Sequence, residues 1–398
     1  MARYYSTLIG KTLLLHTQIQ LMSSVYITRV SKFLPNEPVA NEEMEGILGM
    51  VNGKPSRARA LVLRNNGIKS RYYAIKNGQR THTNARMAAI AIQGLFDDKL
   101  PIDSLELLAV GTTSPEQILP SHASMVHGEL GAGNMEIMCA AGSCCCSMQA
   151  LKYAFMAVAS GMAKTAAASG SERFSSWLLA SRFQPEAGTW DEMEKNPFLA
   201  FEKDFLRWML SDGAGAALLQ DKPNEDGLSL KIEWIEIASF ANELETCMYA
   251  GAVKNKDTSI TGWNDLPAEE IASQSVFSYK QDTRLLGDNI VPKGGEFLSR
   301  LMKKHNFTGE QVDHYLPHMS SMFFKNQIEQ YQKKIGIEIP AEKWFYNLLR
   351  VGNVGSASPY LMLEELMHSG KLKKGEKILI MVPESARFTY AYMYLTVV

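Results

Sequence analysis

Apolar and polar positions alternate over 25–30, which predicts a strand ended by Pro35 and Asn36. Asn41, followed by Glu42, Glu43 and Glu45, reads as a helix N-cap with an acidic first turn. An Ala-rich periodic run over 83–95 predicts a helix. Short apolar runs at 107–111 and 135–140 predict buried strands, the first leading into the loop TTSPEQILPS. A mostly apolar helix is expected over 147–162, then a third strand at 166–169 and the loop GSERFSS. Strand–helix–strand order of this kind favours a mostly parallel sheet covered on both faces.

SDGAGAALLQ (211–220) reads as a turn into a strand, and DKPNEDG after it as a linker. A second cycle follows: a strand at 228–237, helices around 294–304 and 320–333, and a strand at 314–317. The loop VGNVGSAS, an apolar helix at 359–367 and strands at 378–382 and 388–397 close it. The two cycles share an element order without an obvious repeat. Three regions are therefore expected: an extension over 1–21, a half over 22–220 and a half over 228–398. Residues 183–210, with Trp190, Phe198, Phe201, Phe205 and Trp208, predict a mostly helical insertion able to cap a pocket.

The 398 residues, 46% of them hydrophobic, suit two similar halves or one large layered unit. With 41 basic against 42 acidic side chains there is no general field for nucleic acid or an anionic membrane. At the N-terminus an apolar patch is broken by His16, Gln18 and Gln20, so an export signal is not expected, and Met22 reads as the true start. No apolar run reaches the roughly 18 residues of a membrane span. Five cysteines, three of them adjacent, do not form a disulfide framework, and a reducing cytoplasm is the expected location. Three adjacent thiols converge poorly on one ion, so no metal and no cofactor are expected.

Those cysteines open the apolar helix directly after a buried strand. A helix N-terminus favours a thiolate and offers N–H groups to an oxyanion. Small cysteines also simply fill tight junctions, and on this chemistry alone Cys144, Cys145 and Cys146 are equivalent.

The segment AGSCCCSMQAL resembles the nucleophile motif of the class III ketosynthases, in which Ala-Leu stands six and seven residues after the cysteine. Ala150 and Leu151 stand so after Cys144. RNNGIKSRYYA (64–74) is similar to the family's Gly-Ile-x-x-Arg stretch, and SDGAGAALL to its Gly-Asp-Gly-Ala-Gly-Ala strand. YLPHMSS (315–321) lies where the family has Pro-His-Gln-Ala-Asn, and VGNVGSASP (351–359) matches Gly-Asn-x-x-Ser-Ala-Ser. The resemblance runs from about residue 24 to the end. It implies the thiolase fold, two pseudo-symmetric α/β halves in five layers, working as a homodimer on thioesters of acyl carrier protein or coenzyme A. It implies Cys144, His318 and Asn353 as catalytic residues, with Ala386, Ser385, Phe388 and Thr113 as substrate-binding or oxyanion residues.

Three departures bear on the product. Ser320 and Ser321 replace Ala-Asn after the histidine. The family's Gly-Gly-Gly-Phe loop is SARF (385–388), where Ala386 would have to supply the oxyanion amide and Arg387 is new near the pocket. The position of the glutamate that serves head-to-head condensation is Leu119, with Glu116 three residues earlier. Without that base the second substrate must ionise readily, as a malonyl or a β-ketoacyl thioester does. FLRWMLSDGAGA and VPESARF resemble the subgroup that builds dialkylresorcinol precursors. The alternatives are a same-fold acyltransferase acting on an alcohol or amine and a non-catalytic partner subunit.

Overall fold

The computed structural model describes residues 23–56, 58–183 and 205–398. The expected extension over 1–21 lies outside them, as do Met22 and Trp190, Phe198 and Phe201 of the expected insertion.

Nine strands form one sheet: β1 (Tyr26–Phe33), β2 (Leu107–Thr112), β3 (Glu136–Ala141), β4 (Thr165–Glu172), β5 (Gly213–Gln220), β6 (Leu230–Ser239), β7 (His314–Pro317), β8 (Lys377–Glu384) and β9 (Thr389–Val397). Their order is β7-β8-β9-β6-β1-β5-β4-β2-β3. The two wings meet at β1 and β6 through only two register pairs, Tyr26↔Lys231 and Ile27↔Leu230. Six main helices cover the sheet: α1 (Asn84–Gln93), α2 (His122–Leu130), α3 (Cys146–Ala159), α4 (Thr283–His305), α5 (Phe323–Lys334) and α6 (Ser358–Met367).

Three apolar clusters define the layers. The central one joins α3 and α6 to the inner faces of both wings, with Met148, Leu151, Leu363, Leu219 and Ile380 among its members. A second packs α1 and α2 on the outer face of the β1–β5 wing. A third packs α4 and α5 on the outer face of the β6–β9 wing. Helix pair, wing, helix pair, wing and helix pair make the five layers of the expected thiolase fold.

Two expectations are corrected. The sheet is not mostly parallel: β2 runs parallel to β3 and β4, and β7 to β8, while the other five pairings are antiparallel. Where a helix crosses over, as α2 and α3 do, the flanking strands run parallel. The four-residue link from β8 to β9 allows only a hairpin. Asn41 is not an N-cap. The short helix Met44–Leu48 starts after Glu43, and the Asn41 side chain instead donates to Ile68 O and accepts from Arg71.

Boundaries moved where the pattern misleads. β4 runs on through Glu172, into the stretch expected to be a loop. α4 begins eleven residues before the expected 294 because Pro292 and the Gly294-Gly295 pair read as breakers. Tyr390 and Tyr392 on β9 donate to the carbonyls of Ile290 and Gly294 at 2.9 and 3.0 Å, tying this helix to the sheet.

Candidate active site

Cys144 lies in the turn between β3 and α3, two residues ahead of the first helical residue. Three glycines explain how this turn comes so close to the sheet. Gly111 on β2, Gly170 on β4 and Gly215 on β5 stand side by side in register. A Cβ on Gly111 would lie 2.5 Å from Ser147 N. One on Gly170 would lie 2.3 Å from Ser356 O, and one on Gly215 2.5 Å from the Tyr360 Cβ. The bare strip thus seats the starts of α3 and α6 together, an approach only glycine allows. Ser147 Oγ then donates to Ser356 O at 2.6 Å, and Tyr360 Oη to Ser147 O at 2.9 Å.

Asn353 precedes α6. Its main chain is pinned on both sides, by Asn353 N–H to Met209 O (3.0 Å) and Ser211 N–H to its own carbonyl (2.9 Å). The fully buried Arg71 of the Gly-Ile-x-x-Arg stretch steadies that neighbour by donating to Trp208 O at 2.6 and 3.2 Å. Asp212, of the Gly-rich strand motif, accepts from Ala74 N–H and Ser175 N–H at 2.7 and 2.8 Å. Burial raises its carboxyl to about 6. The Asn353 carboxamide oxygen accepts from Gly355 N–H at 3.0 Å, which leaves its Nδ2 hydrogens as donors. His318 follows β7, with its N–H on Met381 O at 2.8 Å.

Cys144, His318, Asn353 and Ser385 line one cavity that runs between α4 and α5. Leu206, Leu286, Ile290, Leu298, Phe324 and Ile328 make most of its wall apolar. Ser320 also lines it, while Ser321 is buried at the start of α5 and accepts from Phe323 N–H at 3.2 Å.

The other expected site residues stand elsewhere. Phe388 is buried in the outer cluster of the β6–β9 wing with φ +59°. Thr113 donates its N–H and hydroxyl to Glu172 at 3.0 and 2.7 Å. Ala386 N–H donates to Glu384 Oε1 at 2.9 Å, so the amide expected for the oxyanion is already engaged. Arg387 is exposed, with Nε on Leu244 O, and is not part of the lining. Leu119 is 83% exposed, and Glu116 is tied to Arg173 at 3.2 Å and to Asn84 N–H.

The electrostatics correct a further expectation. Burial, with Glu172 and Glu384 nearby, pushes the Cys144 thiol up to about 12, so the helix start does not by itself make a thiolate. Burial pushes the Cys145 and Cys146 thiols up well above the usual range. Cys145 Sγ is committed to Val382 O at 3.1 Å. Burial pushes His318 down to about 4, so its imidazole is neutral at pH 7. Glu172, missed in the sequence, is fully buried and accepts from Thr113, Ser114 and Ser356. It binds the β2 loop to the turn carrying Asn353. Nothing in the sequence marks it, because its partners come from two segments distant from it in the chain.

Among the described residues no cluster of His, Cys, Asp and Glu could hold a metal ion, and no helix is long and apolar enough to cross a membrane.

The fold is the thiolase fold that the resemblance implied, and one cavity brings Cys144, His318 and Asn353 together. Residues 302–393 match the C-terminal part of 3-oxoacyl-[acyl-carrier-protein] synthase III. The β-ketoacyl-[acyl-carrier-protein] synthase III of Chlorobaculum tepidum is 24% identical over 93% of this chain and 98% of its own. Two solved structures share the fold. The Aquifex aeolicus 3-oxoacyl-[acyl-carrier-protein] synthase III has a TM-score of 0.68 at 21% identity, over 94% of this chain and 99% of its own. Xanthomonas campestris OleA, solved with lauric acid and lauroyl-CoA bound, has a TM-score of 0.71 at 18% identity, over 94% and 100%. Over residues 302–393, and along most of its length, the chain is similar to synthases of this type.

Proposed function

We propose that this protein joins two acyl thioesters, with Cys144 as the acyl-accepting nucleophile. The observation that carries the reading is that Cys144, His318 and Asn353, from three distant segments and both wings, line one apolar cavity. As the Cys144 sulfur attacks an acyl thioester, its proton passes to the neutral His318 and then to the departing coenzyme A or carrier-protein thiol. The second thioester binds with its carbonyl oxygen on His318 and Asn353. A carbon–carbon bond forms to the acyl carbon, the bond to Sγ breaks, and the substrate's α-proton ends on the released sulfur.

The second substrate is a β-ketoacyl thioester, whose α-hydrogens need no strong base. The β2–α2 loop offers no such base, since Leu119 stands at the expected position and Glu116 is ion-paired. The product is a precursor of the dialkylresorcinol type. The protein works as a homodimer, which the exposed Ile137 on the edge strand β3 and the exposed Ile118 and Leu119 of the β2–α2 loop support. The engaged Ala386 amide favours one second reading, acyl transfer to an alcohol or amine, whose product is an ester or amide.

The test is intact-mass and peptide-mapping spectrometry after exposure to lauroyl-CoA. An acyl adduct on Cys144 that is lost in Cys144→Ala is expected, with discharge on adding a 3-oxoacyl thioester. No adduct, or one unchanged in the mutant, removes the proposed nucleophile.

A further inference from the structure

Tyr279 lies in the cavity wall with Cys144, Phe174, Asn353 and Gly355. Its side chain is 5% exposed and held from two sides, edge-on against Phe174 at 5.6 Å and tilted against Trp177 at 5.0 Å. Phe174 in turn abuts the Asn353 turn, since a Cβ on Gly355 would lie 2.8 Å from its Cζ. The phenol is therefore fixed one ring away from the segment that carries Asn353.

Its hydroxyl has no hydrogen-bond partner among the described residues. Its neighbours in the same wall are satisfied. Tyr390 and Tyr392 donate to main-chain carbonyls, Gln281 to Cys247 Sγ at 3.3 Å, and Gln332 to Tyr315 Oη at 3.4 Å. Burial keeps the Tyr279 phenol protonated, and Glu172 and Asp212 act in the same direction. A buried O–H without an acceptor is costly and rare, and one in a cavity wall is poised for an acceptor brought by a ligand.

We propose that the Tyr279 hydroxyl donates to the 3-oxo oxygen of the incoming 3-oxoacyl thioester and so selects that substrate over a simple acyl thioester. This rests on the condensing reading above and adds a second donor to it. His318 and Asn353 hold the thioester oxygen, while Tyr279 holds the ketone oxygen two carbons away. Both oxygens gain charge when the carbon between them loses its proton, and Tyr279 keeps its own proton throughout.

Tyr279→Phe removes only the oxygen. Acylation of Cys144 by octanoyl-CoA stays within about twofold, while kcat/KM for condensation with 3-oxooctanoyl-CoA falls about 10- to 100-fold. The melting temperature of the free protein rises, because the unpaired hydroxyl is gone, whereas loss of a merely structural contact would lower it. Unchanged condensation, or acylation falling as far as condensation, overturns the proposal. A measurement independent of turnover uses Cys144→Ala protein. There octanoyl-CoA binds about tenfold more weakly than 3-oxooctanoyl-CoA, and adding Tyr279→Phe brings the ratio near one. An unaltered ratio overturns the role of Tyr279 whatever Cys144 does. A missing adduct in the native protein with a ratio that collapses on Tyr279→Phe overturns the nucleophile and leaves this contact standing.

Discussion

The outer faces of the two wings use the same plan, two helices on a sheet, with opposite side-chain sizes. On the β1–β5 wing the cluster is built largely from Ala85, Ala88, Ala89, Ala91, Ala123, Ala214 and Ala216. On the β6–β9 wing it contains Phe297, Phe324, Tyr315, Tyr390, Tyr392 and Trp344. Small side chains let helix and strand backbones close on each other and leave no room. Large ones hold α4 and α5 off the sheet, and the cavity occupies the space between. One wing sets the proposed nucleophile rigidly, and the other holds the space proposed for a substrate.

The sharpest test of how rigidly the β1–β5 wing sets the nucleophile puts a methyl group on its inner face, where backbones touch. Gly170→Ala places a Cβ 2.3 Å from Ser356 O and 2.7 Å from its carbonyl carbon, atoms that cannot swing aside. Destabilisation of about 3 kcal/mol or more is expected, read as a lower urea midpoint.

Acid tests what the wings share. His122 on one side and His318 on the other are both held by burial at about 4, below the 6.5 of an exposed imidazole. The folded state favours the neutral ring in each. Stability is therefore complete above about pH 6.5 and lost as pH falls toward 4, by up to about 3 kcal/mol for each ring. Urea titrations from pH 7 to pH 4 should show this fall, and His122→Asn should remove about half of it. A flat profile would mean the rings are not buried as described.

The softer wing should show the smallest effect. Gly295→Ala sets a Cβ 2.4 Å from Tyr331 Cε1, but that ring also borders a surface groove with Val291, Gln327 and Lys334, into which it can turn. A loss of about 1–2 kcal/mol is expected, together with a shift of acyl preference toward shorter chains. A cost equal to that of Gly170→Ala would erase the distinction between the wings.

Much of this was legible in the chain, and what was not has a common cause. The flanks of Cys144, His318 and Asn353 are continuous motifs, so they can be read without knowing what lies beside them. The run 314–317 is a strand as expected, and the apolar helix expected from 359 begins one residue earlier. Gly111, Gly170 and Gly215 look like ordinary strand glycines until pairing aligns them. Ala386 offers a plausible amide in sequence, and only the fold brings Glu384 Oε1 onto it. Tyr279 and Glu172 matter through partners distant in the chain. His314, at the start of β7, likewise pairs with Glu376, 62 residues away, at 2.9 Å.

The three consecutive cysteines have one last consequence. Cys144 is open to the cavity, while the thiols of Cys145 and Cys146 are packed away, and Cys139 faces outward on β3. To an electrophile arriving from solvent, the run CCC is a single address. A slender alkylating tail threaded into the cavity would reach Cys144, and a bulky maleimide would reach only Cys139, and that only where no second copy covers β3. Cys139 and Cys144, five residues apart, become separately programmable sites for probes or inhibitors, sorted by the shape of the reagent more than by its reactivity.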